Sequence, residues 1–511
     1  MALMCLSRMG EYNSKNINRN SEYRRTIKYL GIFGGAQGIS MFLSLVRNKA
    51  TSVLLGAAGL GFIALYNRTI QMFSECTNLS LSFSAVRRLS DAYENDDESA
   101  LQECIRVVRS IAFLTGLAGM LLFFVLSPLI SNWIFGDQEY YMKRFLMLSP
   151  VVLFMAVSGG ELAVMRGTRE LNRVAVYTLW SAVSSVVIAV PLYYIRGLGG
   201  IFPAIFLISF SQMAGALYLA ARKYRYSISP FSFSLLRKGG EMIRLGAGYI
   251  YSSILTSCSV WFICKCLSGM ANDAVTGYFA ATLVLITLLP SILFAALDSD
   301  YYPRLSGLFA RREERNAMVN GQIEVHLLVQ APLILGFVVM LPEFLPLLYS
   351  EEFLPALMMT QVAMLGMLFH TIAYPVSFMP LSGGDSFTFF VQESIYNVAF
   401  VAFVVVGYDN WGLSGVGGGM LLLRVLDFVV VYSIARFKYG FLFSRRVLFC
   451  TIVQMLLFAA VLCAVLYSGD GVVMWTVGVS AVSFSALISL YVLSKHSNIF
   501  NKIYKRLLRK N

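Results

Sequence analysis

The sequence predicts an all-α polytopic membrane protein with about 14 transmembrane helices, arranged as two parallel six-helix repeats followed by two C-terminal helices. The composition, the apolar segments and an internal repeat each support this fold class. Hydrophobic residues make up 57% of the 511 positions and charged residues only 14%. A water-soluble surface needs roughly a quarter of charged residues, so a soluble globular protein is excluded.

Apolar segments of about twenty residues, the length that crosses a hydrocarbon core of about 30 Å, recur along the whole chain. They begin near positions 27, 58, 107, 144, 174, 199, 245, 274, 321, 354, 387, 411, 447 and 473. The polar gaps between them are too short for a soluble catalytic domain, and no G-x-x-x-x-G-K-[ST] loop is present to bind ATP phosphates. Any driving force must therefore come from an ion gradient or from the gradient of the substrate.

The repeat is visible as charged and glycine positions that recur at one constant offset in residue number. Lys28, Lys49, Gly61, Arg88-Leu89-Ser90 and Gly167 have counterparts at this offset in Arg244, Lys265, Gly277, Arg304-Leu305-Ser306 and Gly383. Gly197-Leu198-x-Gly200 recurs as Gly412-Leu413-x-Gly415, at an offset shorter by a single position. Six spans in each repeat return the chain to the same side, so both repeats face the same way and their pseudo-axis follows the membrane normal.

The charge distribution predicts the topology. The net charge is +13, and most of the 41 Lys and Arg residues fall in loops of one side, which places both termini in the cytoplasm. The predicted order is a cytoplasmic tail (1–26), an N-lobe (27–221), a cytoplasmic linker (222–243), a C-lobe (244–436), two further helices (437–494) and a basic tail (495–511). This tail is expected to lie on anionic lipid, and no nucleic acid is expected as a partner. Residues 1–26 contain no apolar core of a cleavable signal peptide.

Two polar stripes follow the first two spans at helical spacing. In span 2 the stripe comprises Arg68, Gln71, Glu75, Asn78 and Ser82, and in span 1 it comprises Gln37, Ser40, Ser44 and Arg47. An ionised side chain facing lipid costs a few kcal/mol, so both stripes are expected to face protein or water and to line one aqueous cavity. The alternative for span 2 is an Arg68–Glu75 pair that only holds helices together.

Other ionisable residues within the spans each allow two interpretations. Lys265, the repeat counterpart of Lys49, is either a substrate-binding cation or a side chain that snorkels to the interface. Arg424 and Asp427 form either a structural ion pair or a coupling switch. Glu393, which shares a helix face with Tyr396 and Asn397, is either a proton or cation site or a hydrogen-bonded core carboxyl.

Glu75, Glu393 and Asp427 are the candidates for coupling to H⁺ or Na⁺. The remaining polar residues favour structural roles. Glu161 is expected to pair with Arg166 or Arg169, and His326 and His370 are interpreted as satisfied core residues. The eight cysteines are scattered, and no metal site or bound cofactor is expected.

A set of short motifs carries a family resemblance over roughly residues 25–495. They are Val46-Arg47-Asn48-Lys49-Ala50, Leu55-Gly56, Gly59-Leu60-Gly61-Phe62, Arg166-Gly167-Thr168-Arg169, Tyr302-Pro303-Arg304-Leu305-Ser306 and Gly412-Leu413-Ser414-Gly415. In their order and spacing they resemble the bacterial polysaccharide flippases of O-antigen and capsule export. That family belongs to the superfamily that also holds multidrug/cation antiporters and the lipid II flippase.

The resemblance implies two six-helix bundles that form a V and open alternately to either side of the bacterial inner membrane. It implies an oligosaccharide on an undecaprenyl pyrophosphate carrier as the substrate, with the last two helices offering a groove for the polyprenyl tail. Membrane lipids and other polysaccharide assembly proteins are the remaining expected partners. The residues agree with this substrate class, because Arg47, Arg68 and Lys265 suit pyrophosphate oxygens.

Three other functions would fit a polytopic membrane protein less well or equally well. A cation-coupled multidrug antiporter of the same superfamily would share the fold but should present an acidic, aromatic cavity. A membrane polymerase or ligase would need a sizeable outer loop, and the outer loops are short, so an enzyme is not expected. Nothing in the sequence argues against a lipid scramblase without sugar selectivity.

Overall fold

The computed structural model describes residues 2–78, 81–94, 97–135, 139–228, 247–467 and 471–494. This described part is predominantly helical and contains no β-strand. The first repeat contributes α1 (Ala2–Asn78), α2 (Leu81–Glu94), α3 (Glu98–Phe135), α4 (Glu139–Gly167), α5 (Leu171–Arg196) and α6 (Ile201–Ala221). The remainder forms α7 (Ala247–Met270), α8 (Asp273–Gly307), α9 (Arg312–Leu348), α10 (Leu357–Ser382), α11 (Ser386–Tyr439), α12 (Arg445–Tyr467) and α13 (Gly471–Ser494). The predicted linker at 222–243 falls largely between residues 228 and 247 and so outside the described residues.

Ten stretches of the described helices are long and apolar enough to cross a membrane. Three of them, Gly35–Thr77, Leu171–Ala221 and Ser386–Tyr439, are 43 to 54 residues long, far more than one crossing needs. Each was predicted as two spans, and each contains a glycine with positive φ, at Gly56, Gly197 or Gly412. The predicted all-helical polytopic membrane protein is confirmed, while the number of fourteen spans stays a prediction.

The backbone supports the internal repeat at the second and third of these glycines. Gly197 has φ 54° and ψ −135°, and its repeat counterpart Gly412 has φ 58° and ψ −140°. Only glycine adopts this region without strain. At each break the chain also folds tightly back on itself, because a Cβ on Gly200 would lie 2.3 Å from the Leu192 carbonyl oxygen. A Cβ on Gly415 would meet the carbonyl oxygen of Gly407, the position equivalent to Leu192, at 1.8 Å.

Two compact units make up the chain. Unit 1 consists of Met1–Leu54 and Phe73–Ile250, and unit 2 consists of Leu55–Met72 and Tyr251–Asn511. α1 therefore supplies residues to both units. Its segment Leu55–Met72 belongs to the first repeat by sequence and packs with unit 2, where Ala57 joins a buried cluster with Leu285 and Phe353.

The close packing of Leu55–Met72 depends on two repeat-related glycines. A Cβ on Gly61 would lie 1.8 Å from the Asp273 carbonyl oxygen, and a Cβ on Gly277 would lie 2.1 Å from the Ala57 carbonyl oxygen. α1 and α8 thus cross with their backbones in contact, which only residues without a side chain permit. The contact is reinforced by Glu352, whose Oε2 accepts a hydrogen bond of 3.0 Å from the Ala57 amide beside the break at Gly56.

An ion pair that the sequence did not predict recurs in both repeats, at the start of the fifth predicted span. Lys223, just after α6, pairs with Glu170 at the start of α5. Lys438 at the end of α11 pairs with Asp385 at the start of that helix, with Nζ and Oδ2 2.5 Å apart. The two lysines, like the two acids, are separated by the same number of positions as Gly197 and Gly412. In each repeat the start of the fifth predicted span is therefore tied to the end of the sixth by the same lysine–acid pair.

The turn before each of these acids also recurs. Arg169 has φ 56° and is the single non-glycine residue with positive φ in the described part, whereas its repeat counterpart is Gly384, with φ 72°. A left-handed arginine is strained by roughly 1–2 kcal/mol. In unit 1 the surrounding contacts must offset that strain, while in unit 2 glycine avoids it.

Candidate functional site

The span 1 stripe lies in unit 1. Gln37 is exposed and Arg47 is half-buried. Arg47 lies close enough to Tyr193 of α5 for its charge to act on the phenol. The Ser44 hydroxyl donates to the Ser40 carbonyl of its own helix at 2.9 Å. That Gln37 and Arg47 contact a ligand stays a prediction.

The span 2 stripe is divided by the boundary between the units. Arg68 and Gln71 belong to unit 2 and Glu75 to unit 1, while the side chains of Asn78 and Ser82 lie outside the described part. Arg68 Nη1 donates to Gln71 Oε1 at 3.1 Å. This hydrogen bond goes to a neutral amide, so Gln71 does not neutralise the positive charge of Arg68.

The orientation of Arg68 is fixed by its neighbour Thr69. Thr69 is fully buried, and its hydroxyl accepts a hydrogen bond of 2.9 Å from the indole nitrogen of Trp261 on α7. Successive helical side chains point about 100° apart, so the bond that turns Thr69 towards α7 keeps Arg68 on an adjacent face.

Lys265 lies one turn beyond Trp261 on α7 and is half-buried. The charge of Arg68 also acts on Cys264, the residue before Lys265. Unit 2 therefore brings Arg68 and this end of α7 together. That Arg47 of unit 1 shares a cavity with them stays a prediction.

A second polar group in unit 2 centres on Arg424 of α11. Arg424 Nη1 lies 3.1 Å from His370 Nδ1 on α10 and 4.0 Å from Asp427 Oδ2 one turn along its own helix. Its guanidinium carbon also stands 5.3 Å from the centre of the Tyr396 ring. Sequence spacing gave the Arg424–Asp427 neighbours correctly but could not show that His370 is the closer partner.

Glu393 forms a separate contact between α7 and α11. Its Oε2 accepts a hydrogen bond of 2.5 Å from the Ser252 hydroxyl. The side-chain amide of Asn397 donates to the backbone carbonyl oxygen of Glu393 at 2.9 Å. Tyr251 and Ser394 are joined by a neighbouring hydroxyl contact of 2.6 Å. A hydrogen-bonded carboxyl is thus present, and both interpretations of Glu393 stay open.

The two intramembrane histidines lie around one tyrosine. The Tyr374 ring centre is 5.4 Å from His370 and 6.3 Å from His326, and Gln322 contacts His326 Nε2 at 3.0 Å. The small number of histidines could have pointed to this group, because the chain has only three. Two of them lie near the same tyrosine in unit 2.

Glu161 has a different partner from the predicted one. Arg109 of α3 binds both of its carboxylate oxygens, at 2.7 and 2.9 Å, and both side chains are buried. The same guanidinium donates to the carbonyl oxygens of Arg225 and Tyr224 at 2.9 and 3.2 Å. The pair therefore holds the start of the segment that leads out of unit 1, and neither charge is available for cargo.

Metal binding by the protein side chains finds no support in the described residues, where no group of three or more His, Cys, Asp or Glu side chains could hold an ion.

Comparison with known families decides the identity. The model of the polysaccharide biosynthesis protein family matches residues 28–309, more than half of the chain. The chain belongs to this family. The matched region contains Arg47, Arg68, Glu75 and Lys265 and ends before Glu393, Arg424 and Asp427. No curated protein matches the chain.

Solved structures confirm the fold of the chain. Lipid II flippase MurJ in an inward closed conformation aligns with a TM-score of 0.65 at 15% identity, over 91% of this chain and 98% of MurJ. An inward-facing MATE family multidrug resistance transporter of the MOP superfamily aligns with 0.64 at 14% identity, over 78% and 94%. A MOP superfamily transporter from Pyrococcus furiosus, described as having a binding pocket of reverse polarity, aligns with 0.57 at 14% identity, over 81% and 96%. The protein is thus a multi-pass membrane protein with the MOP transporter fold.

Proposed function

We propose that the protein is a flippase that moves a lipid-linked oligosaccharide, an undecaprenyl-pyrophosphate repeat unit, from the inner to the outer leaflet of the bacterial cytoplasmic membrane. Movement occurs by alternating access and serves surface polysaccharide biosynthesis. The family and the fold shared with a lipid II flippase support a transporter for such cargo. By the charge distribution, both termini lie in the cytoplasm.

The observation that carries this function is Arg68. It lies about halfway along the apolar segment that follows Gly56, is half-buried and hydrogen-bonds to the neutral amide of Gln71. An arginine within a membrane span costs a few kcal/mol, and such residues typically mark substrate pathways. A fixed guanidinium suits a pyrophosphate, because its forked donors match the phosphate oxygens.

The other predicted residues complete the proposed site. Lys265 adds a point charge on α7, and Arg47 of unit 1 adds a further cation. Gln37, Gln71 and Asn78 provide hydrogen-bonding groups for sugar hydroxyls. H⁺ or Na⁺ drives the cycle by binding to one or more of Glu75, Glu393 and Asp427. These three acidic residues lie within apolar segments, where an ionisable group typically has a functional role.

A cation-coupled multidrug antiporter is the second candidate. The MATE transporters share the fold as well, and Glu393 with Ser252 supplies an acidic contact in unit 2. A cationic drug, however, would meet the repulsion of Arg68 and Lys265. The charge of the proposed site therefore favours anionic cargo.

The decisive experiment measures movement of a labelled undecaprenyl-pyrophosphate oligosaccharide in proteoliposomes. Arg68→Gln removes the charge, Arg68→Lys keeps it, and Arg311→Gln is the matched control, since Arg311 is exposed and pairs with Glu314 at the surface. A lost charged hydrogen bond of about 1.5–3 kcal/mol corresponds to a rate about 10- to 100-fold lower. We expect that loss in Arg68→Gln, a smaller loss in Arg68→Lys and none in the control.

Three results would change the conclusion. A folded wild-type protein that moves no polyprenyl-pyrophosphate oligosaccharide overturns the function. Ion-dependent transport of a cationic drug such as ethidium in the same vesicles establishes the antiporter instead. Full activity of Arg68→Gln removes Arg68 from the site.

A further inference from the structure

Arg424 stands between two groups that can each carry a proton. Its Nη1 lies 3.1 Å from His370 Nδ1 and 4.0 Å from Asp427 Oδ2. The first distance is that of a hydrogen bond and the second is not. The Arg424 and Asp427 side chains keep 15% and 13% of their surface exposed, so the packed helices do not enclose the group completely.

The Arg424–His370 contact defines a protonation state. An arginine side chain has only donors and does not deprotonate in proteins. A nitrogen that accepts from it must carry a free lone pair, so His370 is neutral here with its hydrogen on Nε2. A proton added to Nδ1 would replace this hydrogen bond with two cations facing each other at the same distance.

We propose that His370, Arg424 and Asp427 form a proton-binding site in which protonation of His370 moves Arg424 from His370 to Asp427. The proton comes from water on the more acidic side of the membrane, and its release restores the Arg424–His370 hydrogen bond. The inference rests on the proposed function, because it names the ion and the residues that drive export.

The geometry gives Arg424 two positions without displacing its helix. Asp427 follows one turn later on α11 and needs the guanidinium to approach by about 1 Å to make a normal charged hydrogen bond. The Tyr396 ring, 5.3 Å from the guanidinium carbon, offers an aromatic surface to the cation. α10 and α11 lie in the same unit, so a change of partner alters the contact between two of its helices.

Other titratable groups lie on the same or neighbouring helices of unit 2. They are Glu393 with its Ser252 partner on α7, Tyr301 of α8 donating to the Pro375 carbonyl at 2.7 Å, His326 of α9, Tyr374 of α10, and Arg446 of α12 paired with Glu324 of α9. His326 is the nearest group of the same chemistry, and its charge acts on His370. It is therefore the matched control for any test of His370.

The composition of the site favours a proton over a metal cation. Na⁺ is a hard cation that prefers several oxygen ligands, whereas His370 contributes nitrogen. The permanent charge of Arg424 would repel a metal ion at this distance, and it also opposes a proton on His370; the proton is accommodated only because Arg424 can then turn to Asp427.

The first test uses the proteoliposome assay with an imposed gradient of pH or of Na⁺. We expect the pH gradient to accelerate wild-type transport about tenfold or more and an equal Na⁺ gradient to leave it unchanged. His370→Gln retains a hydrogen-bond acceptor for Arg424 but cannot carry the proton, so the ratio of rates with and without the pH gradient should fall to about one. His326→Gln should keep most of the ratio. A wild-type ratio in His370→Gln, or an equal loss in both variants, overturns the assignment.

The second test needs no cargo and so separates this inference from the proposed function. The full chain carries three histidines, so imidazole-labelled protein in lipid nanodiscs gives three sets of nuclear magnetic resonance signals, assigned by His326→Gln and His370→Gln. We expect His370 to show the tautomer with hydrogen on Nε2 at high pH and to become an imidazolium as the pH is lowered across the range in which the protein stays folded. Asp427→Asn should change its midpoint more than Asp409→Asn does. A His370 that stays neutral over this range refutes the proton site even if transport occurs, and a titrating His370 stands even if no lipid-linked sugar moves.

Discussion

Replacing Gly61 with alanine tests whether the crossing of α1 and α8 holds Leu55–Met72 in unit 2. The added Cβ would lie 1.8 Å from the Asp273 carbonyl oxygen and 3.0 Å from the Gly277 nitrogen. An ordinary contact begins at 3.4 Å, so the two backbones must move apart before the methyl group fits. Both atoms struck are backbone atoms, and no side-chain rotation can relieve the contact.

The cost follows from what the separation breaks. Overpacking costs about 1–3 kcal/mol, and loss of the Ala57–Glu352 hydrogen bond adds about 1 kcal/mol. With about 2–4 °C per kcal/mol for a unit of this size, we expect Gly61→Ala to lower the melting temperature in nanodiscs by roughly 5–10 °C. Gly277→Ala should act similarly. The double variant should cost clearly less than the sum, since one separation relieves both contacts.

Gly38→Ala is the control, because Gly38 lies on the same helix and a Cβ there meets nothing within 4 Å. Alanine favours a helix over glycine by about 1 kcal/mol, so this control should melt at or above the wild-type temperature. If Gly61→Ala does the same, the backbone crossing does not hold the segment and the argument is refuted.

Two further predictions concern the ion pairs. Arg109→Leu should destabilise unit 1 by about 3–5 kcal/mol because it leaves the Glu161 carboxylate buried without its partner. Adding Glu161→Leu should recover much of the lost stability. A double variant as unstable as the single one would contradict this prediction. A hydrogen bond from Lys438, and to a smaller extent one from Tyr439, holds the pKa of Asp385 well below its usual range. The ionised Asp385 carboxylate therefore stabilises the fold above about pH 4, and this stabilisation is lost as the pH falls towards the lower pKa of the folded state. Melting temperatures measured from neutral to acidic pH should show that acid dependence weakened in Asp385→Asn, and a profile parallel to that of wild type would show that the pair adds no stability.

The overall fold could be predicted because the membrane constrains it strongly. Apolar segments must be helical in lipid, and glycines that allow backbone contact or positive φ recur at nearly constant separation. Gly61 and Gly277 were identified as equivalent positions by sequence alone. That they touch each other, and that Leu55–Met72 packs with unit 2, depends on helix crossing, which periodicity does not encode.

The site was predicted less completely. Helical spacing placed Arg68 beside Gln71 and Arg424 beside Asp427, because those pairs lie within one helix. The Arg109–Glu161 and His370–Arg424 contacts join different helices and were missed. The repeated lysine–acid pairs escaped detection because the offset between the repeats shortens by one position after Gly167, and a comparison at the longer offset aligns each lysine and each acid with the wrong neighbour.

The recurring lysine–acid pair records the history of the chain. Because Lys223–Glu170 and Lys438–Asp385 occupy the same places in both repeats, the simplest origin is a shorter ancestral polypeptide that already contained the pair. In each of two copies of that ancestor, the ion pair would already have joined the fifth and sixth spans before the genes fused. After the fusion each copy could change residues around its own ion pair. The acid is now Glu170 in the first repeat and Asp385 in the second, and the residue before it is Arg169 or Gly384. A half-length chain engineered from either repeat inherits one complete ion pair, which makes dimerisation of such halves a practical route to reconstructing the ancestor.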